Sequence, residues 1–274
     1  MTVTTLPDPA LARVETPNNK GARPIIVALR YSVSLAILYV LWWAAVHIGG
    51  APPGLLPAPE RVLHSLVTEW SLYYSDFAYA TLSKAVIGGT IGIVGGLIVG
   101  LTLGYSQAAR AVLEPYLTIF QSFPREALYP IFVVALGVGD RPQITNAALL
   151  SFFPVAVTTL NAISDTRKDY VDLVRSWGAT RYQEFVYCRL PYIVPTLVGA
   201  FKLAVPFALI GAVLAEMLGG GTRSGLGNLI ASAQAGQNAT STYCAILILA
   251  ALGVGLVAAI QAIEYLALRR YRHG

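Results

Sequence analysis

The chain has 274 residues, with 12% charged side chains, 55% in the AVILMFWYC set and a formal charge of +5; its mean hydropathy is +0.61. An average soluble domain carries roughly 25% charge, so 19 basic and 14 acidic side chains are too few to coat a soluble core, and apolarity at this level excludes a disordered chain. Two cysteines, Cys188 and Cys244, do not make a disulfide framework, which leaves the polytopic membrane class.

In chain order, residues 1–24 hold four prolines and scattered charge and are expected to form a mobile cytoplasmic arm. Six apolar runs then read as membrane helices: Ile25–Ile48, Phe77–Gly104, Val112–Leu136, Gln143–Ile163, Tyr192–Leu218 and Thr242–Leu268. The connector 49–76 opens with Gly and Pro, and its Glu60–Tyr74 portion places Val62, Leu63, Leu66, Val67 and Trp70 at helical spacing, which suits a helix lying along the interface. In the second run Gly88, Gly92, Gly96, Gly100 and Gly104 form one stripe that lets another backbone come close. The third run is interrupted by Phe123-Pro124-Arg125-Glu126 and by Pro130.

Orientation follows from the Lys/Arg bias of short loops. With the N-terminus inside, thirteen basic residues fall on the inside, counting Arg30 near the start of the first run, and only Arg61, Arg141 and Arg223 fall outside. The arrangement predicted is N-in and C-in with about six crossings. It accounts for the positive charge without a nucleic-acid partner.

Asp165–Arg189 joins the fourth and fifth runs and is rich in charge. Tyr170, Leu173, Val174 and Trp177 make one apolar stripe, and Gly178 splits the loop into two helical pieces. An exposed amphipathic pair fits either a docking surface for another protein or a helix on the membrane surface.

Asp172-Leu173-Val174-Arg175-Ser176-Trp177-Gly178-Ala179, followed by Leu190-Pro191, resembles the EAA signature of permease subunits of bacterial ABC importers. Gly178, Leu190 and Pro191 keep the signature spacing; Asp172, Leu173-Val174 and Cys188 depart from it. Leu56-Pro57-Ala58-Pro59, Pro124-x-x-Ala127-Leu128-x-Pro130, Leu136-Gly137-Val138-Gly139, Glu216 and Gly225-Leu226-Gly227 resemble the nitrate, taurine and aliphatic sulfonate branch.

The resemblance implies an all-α polytopic membrane protein with the type I ABC importer permease fold. It implies a transmembrane permease domain over 25–268, with a cytoplasmic coupling loop at 165–190, and a cytoplasmic tail at 269–274. Asp172, Arg175, Trp177, Gly178, Ala179, Leu190 and Pro191 are the ATPase-coupling candidates. The expected partners are a second permease copy in a homodimer, two cytoplasmic ATPase subunits and an extracytoplasmic solute-binding protein, in the bilayer of a bacterial plasma membrane. The chain would move a small anionic or organic-acid-like solute by alternating access.

No G-x-x-x-x-G-K-[ST] phosphate loop occurs in the sequence, so ATP and Mg are expected on the partner. His47, His64 and His273 are dispersed, and neither a metal site nor a catalytic constellation is expected. Charges inside spans are costly and each is a functional candidate. Arg125 and Glu126 beside the break at Phe123-Pro124, together with Lys202 and Glu216, are therefore candidates for the translocation pathway or gate. The alternative for each is pairing between helices. An ion-gradient-driven secondary transporter is the rival reading; it predicts paired broken helices in two halves, and only the third run looks broken.

Overall fold

The computed structural model describes residues 24–271 apart from 53, 167 and 220–224. The expected arm (except Pro24), most of the Gly219–Gly225 loop and the last three residues of the tail lie outside the described residues. No strand occurs among the described residues.

The helices are α1 (Pro24–His47), α2 (Pro59–Thr68), α3 (Ser75–Tyr105), α4 (Gln107–Ser122), α5 (Tyr129–Leu136), α6 (Asp140–Ser164), α7 (Lys168–Ser176), α8 (Arg181–Glu184), α9 (Leu190–Met217), α10 (Leu226–Ala235) and α11 (Ala239–Tyr271). Residues up to Ala51 form one unit and those from Pro52 another. Within the first, α1 is apolar along its length and ends with His47 stacked on Trp43 at 4.6 Å.

Among the described residues, four helices are long and apolar enough to cross a membrane: α3, α6, the Arg181–Met217 run that contains α8 and α9, and α11 through Tyr265. Ser32–His47 of α1 is a shorter apolar helix. The third expected span, Val112–Leu136, is not one helix. It divides into α4, a 3₁₀ turn at Arg125–Leu128, and α5. Phe123 is extended at φ −85°, ψ 138°, because the ring of a following proline drives the preceding residue out of the helical region. Pro130 sits in the first turn of α5, where its missing N–H costs nothing.

The core of the second unit is a three-helix layer of α3, α6 and α9. The glycine stripe of α3 lies against α6. A β-carbon at Gly88 would meet that of Ala147 at 2.6 Å, one at Gly96 the Phe152 carbonyl oxygen at 2.7 Å, and one at Gly100 the Ala156 carbonyl oxygen at 2.6 Å. At Gly92 the neighbours are Ser151 and the Ala148 carbonyl, and at Gly104 the Ile163 side chain. The second face of α6 meets α9, where Asn146 Nδ2 donates to the Gly211 carbonyl at 2.7 Å.

Ala85, Ala147, Leu209 and Ala212 form one buried apolar cluster, and Ala162, Ile163, Ile193 and Leu197 form another. Helix α2 packs on α11, with Val62 fully buried and its carbonyl facing the Cys244 thiol at 3.5 Å.

Overpacking a filled contact costs about 1–3 kcal/mol. Gly96→Ala is therefore expected to lower the thermal midpoint of the purified protein in detergent. Gly255→Ala, where a β-carbon meets nothing within 4 Å, is expected to leave it unchanged or raise it. Thermal scans of both variants check the contrast.

Candidate functional site

The 165–189 loop is built by two local devices. Helix α7 ends in a left-handed Gly178 at φ +79°, with Gly178 N–H donating to the Arg175 carbonyl at 2.9 Å and Ala179 N–H to the Val174 carbonyl at 3.4 Å. This Schellman closure needs glycine at the turn. Thr180 then caps α8: its hydroxyl accepts from Gln183 N–H at 3.3 Å, and Gln183 Oε1 accepts from Thr180 N–H at 2.8 Å.

The tight turn leaves Trp177 80% exposed, with Tyr170, Leu173, Tyr182 and Tyr187 also exposed. Asp172 and Arg175 are exposed as well, and Ala179 and Leu190 half-buried. Pro191 lies in the first turn of α9.

Behind this surface Glu184 is 3% exposed. Its carboxylate accepts from Arg175 Nε at 2.9 Å and from Arg189 Nε at 2.7 Å. The hydrogen bond to Glu184, with the attraction of its charge, pushes the Arg175 guanidinium pKa up. The Arg189 guanidinium also donates to the Ile163 carbonyl at 3.4 Å and lies 5.5 Å over the Tyr105 ring, which packs edge-on against Phe185 at 5.4 Å. Between the loop and the ends of α3, α4 and α6 lies a cavity of about 850 Å³, lined in part by Arg110, Asp172, Arg175, Arg181, Glu184 and Arg189.

The break between α4 and α5 forms a second cluster. Phe123 and Pro124 are exposed, and Arg125 and Glu126 half-buried. The Arg125 guanidinium stacks 5.3 Å over Phe153, and its buried Nε has no hydrogen-bond partner. Phe153 in turn contacts Phe120 at 6.1 Å and Phe152 at 5.2 Å. A cation over an aromatic face is stabilised by the ring quadrupole, the more so away from water.

The other two intramembrane candidates lie apart. Glu216 is fully buried. It accepts from Thr81 Oγ1 at 2.9 Å, Lys84 Nζ at 3.1 Å and Gly227 N–H at 2.9 Å. Lys84 reaches Asp140 at 3.5 Å, and Leu226 N–H donates to Thr81 Oγ1 at 2.8 Å. One carboxylate thus ties α9 to α3 and to the first turn of α10, with Asp140 of α6 attached through Lys84. Lys202 forms an ion pair with Glu264, joining α9 to α11.

The structure gathers Asp172, Arg175, Trp177, Gly178 and Ala179 on one loop, places Leu190 and Pro191 at the start of α9, and keeps Arg125, Lys202 and Glu216 in three separate settings. Sequence reasoning did not single out Glu184, Phe153, Lys84 or Glu264 as partners. For Lys84 and Glu264 a signal existed, because an ionisable group within a span requires a counter-charge. For Glu184 and Phe153 there was none, since their roles depend on contacts across turns and between helices.

Residues 92–273 match the family of binding-protein-dependent transport system inner membrane components. The formylaminopyrimidine transport permease protein ThiX of Halalkalibacterium halodurans is 31% identical over 86% of this chain and 94% of its own length. The riboflavin transport system permease protein RibX of Chloroflexus aurantiacus is 30% identical over 74% of this chain and 75% of its own. The taurine transport system permease protein TauC of Escherichia coli is 26% identical over 73% and 74%. Among solved structures, an inward-facing MetNI methionine ABC transporter chain superposes with a TM-score of 0.58 at 24% identity, covering 68% of this chain and 92% of that one.

Removing one partner of a buried ion pair costs about 3–5 kcal/mol, whereas replacing both with apolar groups is far milder. Lys84→Met is expected to lower the thermal midpoint in detergent sharply, and the double variant Lys84→Met/Glu216→Leu to recover much of that loss. A double-mutant cycle on the purified protein measures both.

Proposed function

The chain belongs to the family of binding-protein-dependent transport system inner membrane components, and from that premise we propose how this permease subunit of an ABC importer works. It crosses the inner membrane six times with both ends in the cytoplasm, and pairs with a second copy. The α7–Gly178–α8 hairpin seats in a cytoplasmic ATPase subunit that carries ATP and Mg, and an extracytoplasmic binding protein delivers the solute.

The observation that carries this reading is the hairpin itself. Its left-handed Gly178 turn holds Trp177 outward beside Tyr170 and Leu173. An apolar face of this kind beside charged groups suits a protein partner. Asp172, Arg175, Gly178, Ala179, Leu190 and Pro191 shape that surface and its junction with α9. The family's relatives are permeases of ATP-driven systems, which does not favour the ion-gradient carrier.

The solute is small and anionic or organic-acid-like, of the nitrate, sulfonate or taurine type. Phe123, Pro124, Arg125 and Glu126 line or gate its route, where the helix is broken and Arg125 presents a cation in an aromatic setting. The close pairing of Lys202 with Glu264 and of Glu216 with Lys84 supports a role for those two in holding the helices around that route.

Two measurements test the proposal. Affinity purification of the wild-type chain from its native cell is expected to bring down an ATPase subunit, and Trp177→Ala to reduce its recovery at least fivefold while membrane insertion is retained. Arg125→Ala is expected to lower uptake at least tenfold in cells screened with labelled taurine, alkanesulfonates and nitrate. Uptake at the wild-type rate for the solute that is taken up removes Arg125 from the pathway.

A further inference from the structure

A hairpin that receives a push must pass it to the membrane helices, and the covalent connection turns sharply at Gly178 before the continuous Arg181–Met217 helical run begins. Between α7 and α9 the chain runs through the left-handed turn at Gly178 and then through a π-type turn at Phe185–Arg189. Wide turns of this kind interrupt the regular hydrogen-bond ladder. Side-chain packing between the loop and the ends of α3, α4 and α6 is incomplete, because a cavity of about 850 Å³ lies there beside the Tyr105–Phe185 contact.

The Glu184 carboxylate bypasses both turns. Arg175, on one oxygen, stands before Gly178, and Arg189, on the other, stands at the end of the π-type turn. Arg189 then reaches α6 through the Ile163 carbonyl and α3 through the Tyr105 ring. We propose that Glu184 is the positioning residue through which motion of the hairpin reaches the helix core, a conclusion that rests on the docking role given above.

Charge-assisted hydrogen bonds are about twice as strong as neutral ones and fix direction as well as distance. A carboxylate with 3% exposure is held more tightly than a surface pair, which is worth little. Neutralising it leaves the exposed Trp177 and Leu173 of the hairpin in place, since the hydrogen bonds of the carboxylate run to Arg175 and Arg189. Docking and transmission are therefore separable.

The test uses the full complex with its own ATPase subunits in lipid nanodiscs, followed by hydrogen–deuterium exchange with and without ATP and vanadate. In the wild type the ATPase is expected to protect residues 168–184, and nucleotide trapping to change exchange in α10, which lies the length of α9, about 40 Å, from Arg189. Glu184→Gln is expected to keep the protection of the hairpin and the hydrolysis of ATP, and to reduce the α10 response at least fivefold. Arg189→Gln, which removes the other end of the link and lies outside the docking surface, is expected to do the same, and serves alone if Glu184→Gln fails to assemble. Arg189→Lys, which keeps the charge, is expected to restore part of the response.

A full α10 response in a glutamine variant with its hairpin still protected overturns the link while leaving the docking role standing. Absence of hairpin protection in the wild-type complex overturns the docking role, and the link with it.

Discussion

The close approach of α3 to α6 is the constraint on which the rest of the molecule depends. In lipid, helices gain nothing from hiding apolar surface, so association comes from backbone proximity and polar contacts. Five glycines at four-residue intervals let α6 lie where β-carbons would otherwise collide. With those two helices fixed, the other face of α6 receives α9 through Gly211 and Asn146. The position of α9 then determines where each end of it can be tied.

Both ends of α9 are tied by a glutamate taken out of solvent. At one end Glu216 gathers Thr81, Lys84 and the Gly227 amide; at the other Glu184 gathers Arg175 and Arg189 just before the helix begins. The two differ in what surrounds them. The Glu216 end is closed around a fully buried carboxylate, whereas the Glu184 end borders a cavity and an exposed hairpin. One end is built to hold a short helix in place, and the other retains room to move.

Much of this was legible in the sequence for physical reasons. A glycine every fourth residue has one strong explanation, a close helix contact, and α3 makes that contact. Gly178 between two amphipathic pieces likewise announced a turn, and the structure gives that turn a positive φ. The third apolar run was less legible: its interruption at Phe123-Pro124-Arg125-Glu126 was visible, but it was still counted as one span, whereas the structure divides it there because Pro124 acts on Phe123 through sterics. Ion pairing was the least legible, since Lys84 and Glu216 lie 132 residues apart. A sequence can show that each must find a counter-charge without showing which one. Phe153 looked like one more apolar residue until Arg125 was found over its ring.

The Lys84–Glu216 tie also bears on biogenesis. A carboxylate entering a span without a counter-ion is costly. Synthesis from the N-terminus lays down α3, with Thr81 and Lys84 in place, before the translocon meets α9. The nascent segment therefore enters a bilayer that already holds its receptor, whereas a circularly permuted gene encoding α9 ahead of α3 would present the acid to lipid alone.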